Sequence, residues 1–550
     1  MTYEAVVPPS TEEKTTPELL PSRARFAPDQ PVAVEVRTDT APDVATVWHL
    51  GECIREVPVT TPGDVVLGAL PPGGYGVEVV TGSRVLRTAV EVSSEPATSL
   101  RYGFVASYSP RRETDAVADN IRRLHLTGVQ FYDWAYRHAD LLGGGEDYRD
   151  ALGQPIALGT VRNLVAVCHA AGAAAYGYAA VYAVGPDEWP GWEHLALLRP
   201  EGAPYGLGDF LFLLDPAAPS WLAHFIDDLQ RAVDEVGFDG FHLDQYGYPK
   251  RAVRPDGATV DVAESFAAMI EQVREALPDA RLVFNNVNDF PTWRTAHAPQ
   301  DALYIEVWAP HLTLDHLAGV VRRARAEAEG KPVVIAAYQH VYDSAPAGPS
   351  DLATAYTMAT LFSHGATHLL AGEADRILVD PYYVRNHRAA ASTMALLKRW
   401  YDFLVEHVEL LMPAELVDVT GSYASEYNDD CDVTYAVTPV TDTATPGGVW
   451  RRVVQAGDSL VVHLVNLTGQ HDTLWDAPRE TPAGTGTGSL RVRRTGPHLP
   501  QVRVADPDRS ARLVDVPVRA DGDHAVAELP APHIWQLVLI NPSPSAKATT

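Results

Sequence analysis

Two short segments of this chain each end a buried strand on a single carboxylate. They are residues 240–245, Gly-Phe-His-Leu-Asp-Gln, and residues 304–308, Tyr-Ile-Glu-Val-Trp. Successive side chains of a strand face opposite sides, so Asp244 and Glu306 each lie opposite the aliphatic residues of their strand. A carboxylate is costly to bury unless it is paired or does chemistry. Two of them at one barrel mouth predict an acid and a base or nucleophile facing one substrate.

These segments lie in a region where strand and helix patterns alternate, which is typical of a parallel sheet. Eight strands are predicted, at residues 102–108, 129–134, 173–182, 240–245, 282–287, 302–308, 333–338 and 368–372. Helices are predicted at residues 114–126, 160–171, 220–236, 262–277, 313–329 and 351–363, with a final helix at 384–411. This is the size of a (β/α)8 TIM barrel, predicted for residues 99–412. The long connection at residues 183–219 is predicted to be a substrate wall or lid.

Short alternating strands flank this region on both sides. Residues 23–98 predict an immunoglobulin-like β-sandwich, and residues 413–545 predict a second antiparallel β-sandwich. Residues 1–22, which are rich in Pro, Thr and Glu, predict a disordered arm. The predicted fold is therefore multidomain, with a central (β/α)8 TIM barrel between an N-terminal immunoglobulin-like β-sandwich and a C-terminal antiparallel β-domain.

Charge and composition narrow the possible partners and location. The 43 basic and 71 acidic residues give a formal charge of −28, which would repel nucleic acid and anionic membranes but suits a neutral ligand. Cys53, Cys168 and Cys431 show neither metal-ligand spacing nor a disulfide framework. Residues 1–21 lack the apolar core of a secretory signal, and no stretch resembles a membrane span. We expect a cytoplasmic protein, with secretion as the alternative.

The active site of a TIM barrel lies at the C-terminal ends of its strands. Carboxylates mixed with aromatic rings at this face suit a sugar, whose hydroxyl groups need acceptors and whose C–H faces stack on rings. The predicted substrate-binding residues are Tyr132, Asp133, Trp134, Tyr182, Gln245, Asn286, Trp308, Tyr338, Gln339 and Glu373. No glycine-rich phosphate loop joins a predicted strand to a helix, so we predict no nucleotide cofactor, and we predict no metal.

Some of these residues also have structural interpretations. Asp133 could cap a helix or pair with Arg137, and Glu373 could pair with Arg376. Trp308 could simply pack the barrel mouth, as could Tyr338.

The pairing of Asp244 with Glu306 predicts glycoside hydrolysis, in which one carboxyl protonates the leaving oxygen and the other stabilises or attacks the anomeric carbon. Glu306, beside Trp308, suits an acid with a raised pKa, whereas the shorter Asp244 suits the nucleophile. A carboxyl separation of about 5–5.5 Å means retention of configuration and one of about 6.5–9.5 Å means inversion. The residue types alone leave both outcomes open.

Four segments of the chain resemble glycoside hydrolase family 66. The first is Gln-Phe-Tyr-Asp-Trp-Ala-Tyr-Arg-His at 130–138, and the second is Gly-Phe-Asp-Gly at 237–240 with the strand to Asp244. The third is residues 304–308, and the fourth is residues 372–383, which contain Gly-Glu, Arg-Ile-Leu and Tyr-Tyr. That family contains dextranases and cyclo-isomaltooligosaccharide glucanotransferases, with the same order of domains. The resemblance implies a retaining mechanism with Asp244 as nucleophile and Glu306 as general acid/base.

The resemblance further implies endo-dextranase-like cleavage of α-1,6-glucosidic linkages in dextran or isomaltooligosaccharides. Three features depart from the family pattern: the chain shows no export signal, no carbohydrate-binding module interrupts the barrel, and His-Leu-Asp-Gln-Tyr-Gly at 242–247 varies the usual sequence around the nucleophile. Two alternatives stay open. One is a transglycosylase that forms cyclic or linear isomaltooligosaccharides with the same two residues, and the other is a non-catalytic α-glucan-binding protein.

Overall fold

The computed structural model describes residues 17–40, 42–94, 98–425 and 428–542. Its first part is a sandwich of two antiparallel sheets. One sheet has the order Glu18–Pro21, Val32–Arg37, Gly63–Gly68, and the other has the order Glu52–Pro58, Val44–His49, Gly73–Thr81, Arg84–Val92. Valines on alternate positions of Val32–Arg37 are buried between the sheets, as the sequence pattern predicts.

The prediction of a disordered arm at residues 1–22 is wrong for Glu18–Pro21. These residues form a strand that pairs antiparallel with Val32–Arg37 and buries Leu19 and Leu20. The burial of two leucines in a sheet offsets the entropy that the strand loses on ordering. Residues 1–16 of the predicted arm lie outside the described residues.

Eight parallel strands form the central barrel, which confirms the predicted fold class. They are Tyr102–Val105, Gly128–Phe131, Ala174–Ala180, Gly240–Asp244, Arg281–Asn285, Ala302–Glu306, Val333–Ala336 and Thr367–His368, numbered here as barrel strands 1 to 8. The backbone N–H of Phe104 donates to the carbonyl of Ala371 at 3.2 Å and thereby brings the first strand against the segment that follows the last. Most strand residues are buried, as expected where helices cover a parallel sheet.

Helices connect the barrel strands and cover their outer side. The longer ones are Asp115–Arg123, Leu158–Ala170, Pro219–Val236, Val262–Ala276, Leu314–Glu327, Ala347–Ser363 and Ala391–Glu406. The shorter ones are Trp189–Trp192, Thr292–Thr295, Val341–Ser344 and Val408–Leu411, and a further short helix, Thr420–Tyr423, lies in the C-terminal β-structure. In the described part of the chain, no helix combines the length and apolar character that a membrane span requires.

The final predicted helix, 384–411, begins too early. Tyr383–Arg385 is a 3-10 turn, and His387–Arg388 pairs as a short strand with Arg376–Ile377. The hairpin is joined at its open side by an ion pair between Arg388 and Asp375, 2.7 Å apart. Helix formation therefore starts only at Ala391.

The connection between barrel strand 3 and the next helix is not a bare loop. It contains a three-stranded sheet in the order Ala183–Val184, Leu211–Leu213, Gly206–Leu207, together with the helix Trp189–Trp192 and the 3-10 turn Glu193–Leu195. Two further hairpins, Asp147–Arg149 with Pro155–Ala157 and Arg251–Val253 with Thr259–Asp261, extend other connections of the barrel. The three-stranded sheet after barrel strand 3 brings Leu207 to the mouth of the barrel.

The last part of the chain is a second β-structure of two antiparallel-dominated sheets. The larger has the order Val417–Asp418, Val449–Ala456, Ser459–Asn466, Trp535–Asn541, Gln501–Ala505, Val514–Val516, with Val440–Thr441 beside Val449–Ala456. The smaller has the order Cys431–Tyr435, Gly488–Arg493, His524–Leu529, Val518–Asp521. Trp475 donates to the carbonyl of His311 at 2.7 Å, so this part is fixed against the barrel.

Candidate active site

Barrel strands 4, 5 and 6 end on Asp244, Asn285 and Glu306. In the parallel register His242 lies beside Val283. Two residues further along the same face, Asp244 is level with Asn285. Asn285 in turn lies beside Tyr304, two residues before Glu306. The alternation therefore brings all three polar side chains to one end of the barrel interior.

One amide nitrogen joins the two carboxylates. Asn285 Nδ2 donates to Asp244 Oδ1 at 2.7 Å and to Glu306 Oε2 at 2.8 Å. Because both oxygens bind the same nitrogen, they cannot be more than about 5.5 Å apart. The two carboxylates are therefore held close together at one end of the barrel.

The remaining carboxylate oxygens also accept hydrogen bonds. The Tyr178 hydroxyl donates to Asp244 Oδ2 at 2.8 Å, and Trp308 Nε1 donates to Glu306 Oε1 at 2.7 Å. Each carboxylate is held by two donors, which fix its plane relative to the other. Tyr178 comes from barrel strand 3 and Trp308 follows barrel strand 6, so different elements orient the two groups.

Burial and mutual repulsion separate the two groups in acidity. Removal from water raises the pKa of Asp244 to about 6, although the hydrogen bonds from Asn285 and Tyr178 oppose the rise. Burial, and after it the nearby charge of Asp244, raises the pKa of Glu306 to about 7. The pair therefore loses its protons in the order that a nucleophile and a general acid require.

A cavity of about 220 Å³ opens at these carboxylates. Most of its walls are aromatic: Tyr132 stacks on Tyr383 with ring centroids 4.3 Å apart, and Trp308 lies 5.6 Å from Tyr338. The lining residues are Gln130, Tyr132, Tyr178, Leu207, His242, Asp244, Gln245, Tyr246, Tyr248, Asn285, Val287, Tyr304, Glu306, Trp308, Tyr338, Pro381, Tyr382 and Tyr383. A larger cavity of about 740 Å³, beside the N-terminal sandwich, contains neither strand-end carboxylate.

Four of the ten predicted substrate-binding residues line the smaller cavity: Tyr132, Gln245, Trp308 and Tyr338. Gln245 is nevertheless buried, and its amide donates to the carbonyls of Asn285 and Phe290. It therefore ties the ends of barrel strands 4 and 5 together. These four residues therefore contribute mainly aromatic rings to the cavity, because the amide of Gln245 is already hydrogen-bonded to the backbone.

Three other predicted residues have side chains that face the barrel wall and lie outside the cavity lining. Trp134 is fully buried against Phe238 and donates to the carbonyl of Tyr178 at 3.1 Å. The Tyr182 hydroxyl donates to the carbonyl of Tyr248 at 2.6 Å, so it shapes the loop after barrel strand 4. Asn286, one residue beyond Asn285, points to the opposite face, where it bonds Phe284, Tyr304 and Thr295.

The other three lie near the mouth but outside the cavity lining. Gln339 is buried and accepts from the Thr354 hydroxyl at 3.1 Å. Glu373 forms an ion pair with Arg112 and accepts from the backbone N–H of Ala106, whereas its predicted alternative partner is Arg376.

Asp133 has a left-handed backbone, with φ of 46°, and lines a separate small cavity together with Asp150. Burial, followed by the charges of Asp150 and Asp244, raises its pKa to about 8. The predicted pairing with Arg137 is not found, because that guanidinium donates to the backbone carbonyls of Tyr136 and Arg149.

Sequence reasoning missed Asn285 and the role of Tyr178. A signal for Asn285 was present: it lies two residues after Val283, the register partner of His242, and therefore shares the inward face of Asp244. Tyr178 likewise lies beside His242 in the register of barrel strands 3 and 4. Tyr248 and Tyr382 come from connections, whose conformation no strand pattern predicts.

Known proteins resemble this chain in both sequence and fold. Two cycloisomaltooligosaccharide glucanotransferases from Niallia circulans are 27% and 28% identical to it over 302 and 300 residues, or 50% and 48% of this chain. A dextranase from Streptococcus salivarius is 25% identical over 256 residues, or 40% of this chain. Each match spans 31% of the length of the relative.

A solved structure extends the likeness of the fold to nearly the whole chain. It is that of a Paenibacillus sp. cycloisomaltooligosaccharide glucanotransferase complexed with cycloisomaltoheptaose, and it aligns with a TM-score of 0.83 at 18% identity over 95% of this chain and 99% of the other. The sequence profile of glycosyl hydrolase family 66 matches residues 44–539. The chain therefore belongs to glycosyl hydrolase family 66.

Proposed function

We propose that this protein is a retaining glycoside hydrolase that cleaves α-1,6-glucosidic linkages of dextran or isomaltooligosaccharides in an endo-dextranase-like manner. The observation that carries the proposal is the amide of Asn285, which binds Asp244 and Glu306 at once. Their bonded oxygens, no more than about 5.5 Å apart, match the separation of about 5–5.5 Å that accompanies retention, whereas inversion needs about 6.5–9.5 Å to admit a water molecule.

In the first step, a carboxylate oxygen of Asp244 attacks the anomeric carbon while the Glu306 carboxyl gives its proton to the departing glycosidic oxygen. In the second step, the Glu306 carboxylate takes a proton from water as the water oxygen attacks the anomeric carbon and releases Asp244. The higher pKa of Glu306, about 7, supports its assignment as the proton donor, and the lower pKa of Asp244, about 6, supports its assignment as the nucleophile.

The substrate assignment has three supports. Pockets that enclose drug-sized ligands have volumes of about 300–1,000 Å³, and this cavity, at about 220 Å³, is smaller. Its size suits one sugar ring between the faces of tyrosine and tryptophan side chains. Two kinds of relative, a dextranase and cycloisomaltooligosaccharide glucanotransferases, carry names that refer to these glucans. A neutral substrate also suits a chain with a formal charge of −28.

Transglycosylation is the second candidate, and the names of two sequence relatives and one similar structure favour it. It uses the same two carboxylates, but in the second step a sugar hydroxyl replaces water. The product, rather than the catalytic pair, distinguishes the two reactions.

The test is to incubate the purified protein with dextran and with isomaltooligosaccharides and to follow the products by NMR and size analysis. We expect shorter glucans whose new reducing ends are initially α anomers. Longer or cyclic products would favour the transferase. Initial β anomers would contradict the retaining mechanism, as would full activity in both Asp244→Asn and Glu306→Gln variants.

A substrate with a nitrophenol leaving group separates the two roles. Glu306→Gln should lose much less activity on this substrate than on dextran, because nitrophenolate departs without a proton. Asp244→Asn should lose activity on both substrates, because neither can react without the nucleophile.

A further inference from the structure

Asn285 is the one side chain that touches both carboxylates among the hydrogen bonds of the described residues. We propose that Asn285 is a positioning residue that sets the gap between Asp244 and Glu306 and orients both groups toward the sugar. This role rests on the proposed function, since it has meaning only if the two carboxylates act on one substrate.

Chemistry fixes the orientation of the amide. Asp244 must be ionised to act as the nucleophile, and an ionised carboxylate only accepts hydrogen bonds. The NH2 group of Asn285 must therefore face Asp244, and the amide oxygen must face away. Both hydrogens of that group are used, one for each carboxylate, at 2.7 and 2.8 Å. A shift of this side chain would therefore move both carboxylates, or break one of the bonds.

The amide oxygen indicates that the carboxylates, rather than the surroundings of Asn285, dictate this arrangement. Asn285 is 1% exposed, and its Oδ1 is buried without a hydrogen-bond partner in the part of the chain that the structure describes. A buried acceptor without a partner is costly and rare in native proteins. Such a local cost is expected where a residue serves the site at the expense of stability.

The strand that carries Asn285 is itself held in place. Gln245, which follows Asp244 in the chain, donates from Nε2 to the Asn285 carbonyl at 3.0 Å and to the Phe290 carbonyl at 3.1 Å. Its Oε1 accepts from the backbone N–H of Gly247. The ends of barrel strands 4 and 5 are thereby fixed to each other, so the amide has a rigid base.

This geometry predicts a distinctive effect on the pH profile. The two hydrogen bonds stabilise the charged forms of Asp244 and Glu306 and so lower the pKa of each. The acidic limb of kcat/KM reports the nucleophile, which must be ionised, and the alkaline limb reports the acid, which must be protonated. Removal of the amide should raise both pKa values, and both limbs should move to higher pH.

Other ionisable groups lie near the pair, and the variants discussed below leave these residues unsubstituted. Burial lowers the pKa of His242 to about 3, so it stays neutral, and burial raises the pKa values of the surrounding tyrosines. The pKa of Asp133, about 8, is higher than those of Asp244 and Glu306. The ionisable groups that lie near the pair are His242, Asp133, Tyr132, Tyr178, Tyr182, Tyr246, Tyr304, Tyr338 and Tyr383.

The experiment is the pH dependence of kcat and KM for the full chain carrying Asn285→Leu, a change that keeps the size of the side chain and removes its donors. We expect kcat to fall by about 10²-fold, the effect of a displacement of roughly 1 Å, with a smaller change in KM. We expect both limbs to rise by about one pH unit. Asn285→Ala serves in the same way if the leucine variant fails to fold.

Asn286→Leu is the matched control. This neighbouring asparagine is equally buried but bonds the carbonyls of Phe284 and Tyr304 on the opposite face. Its replacement should lower the melting temperature and leave both limbs in place. Asn285→Gln keeps an amide donor on a side chain that is longer by one methylene group. We expect it to return both limbs of the pH profile toward their original positions without restoring the full rate.

Two results would overturn the proposal without touching the proposed function. One is an Asn285→Leu variant with unmoved limbs, and the other is movement of a single limb, which would mean that the amide serves only one carboxylate. If Asp244→Asn and Glu306→Gln are both active, the proposed function itself fails instead. A rise of both limbs in Asn285→Leu, absent from Asn286→Leu, supports the positioning role.

Discussion

The hydrogen bond from Trp308 to Glu306 leads to a prediction about the alkaline side of the pH profile. Trp308→Phe keeps an aromatic ring at the cavity but removes the N–H that donates to Glu306 Oε1 at 2.7 Å. That bond favours the ionised form of Glu306 and lowers its pKa. Without it the pKa of Glu306 should rise, so the general acid should remain protonated, and the enzyme active, to a higher pH.

The size of the shift follows from the strength of this bond. A hydrogen bond to a charged group contributes about 1.5–3 kcal/mol. Glu306 and Trp308 are both partly exposed, which places the bond at the weak end of that range. One pKa unit corresponds to about 1.4 kcal/mol, so the pKa of Glu306 should rise by about one unit. Starting from about 7, the alkaline limb should move to about 8.

The assay is kcat/KM for an isomaltooligosaccharide between pH 4 and 10, because this ratio reports ionisations of the free enzyme. Tyr338→Phe is the matched control: it changes another cavity wall, but its hydroxyl contacts that of Tyr383, 3.5 Å away, rather than a carboxylate. Its alkaline limb should stay in place. An alkaline limb that stays at about 7 or moves down in Trp308→Phe would refute the reasoning.

Two further predictions concern the nucleophile and the fold. Tyr178→Phe removes the donor to Asp244 Oδ2, so the acidic limb of kcat/KM should rise while the alkaline limb stays, and a rise of the alkaline limb alone would contradict the assignment. Glu91 and Arg101 form a buried ion pair 2.5 Å apart, and these contacts lower the pKa of Glu91 to about 2. Because this pKa lies below the unfolded value, the stabilisation is present above about pH 4.5 and is lost as the pH falls toward about 2. Glu91→Gln should cost about 3–5 kcal/mol in urea unfolding at pH 7, and a cost near zero would contradict it.

The strand pattern predicts that the two carboxylates share one face, because alternation is a local property. Asp244 and Glu306 were placed on the inward face from neighbouring residues alone, and the structure brings them together. The sequence analysis predicts Asn286 and does not name the adjacent Asn285, because only the register against barrel strand 4 distinguishes their faces. A shift of one residue along a strand moves a side chain to the opposite face.

Aromatic residues and long-range pairs exceeded what the sequence alone can predict. Trp134 and Trp308 both follow barrel strands, yet the Trp134 ring is buried against Phe238 and the Trp308 ring lines the cavity. Glu373 pairs with Arg112, far away in the sequence, and not with Arg376, three residues later. Such choices depend on packing between distant elements, which no local periodicity encodes.

The cytoplasmic location remains a prediction.

The central claim is that Asp244 forms a covalent bond with the sugar. The most direct measurement is peptide mass spectrometry after incubation with a fluorinated α-glucosyl fluoride, a substrate that slows hydrolysis of the intermediate. We expect one fluoroglucosyl group on the peptide that contains Asp244, and none in the Asp244→Asn variant. A label on another carboxylate, or full turnover by Asp244→Asn, would contradict it.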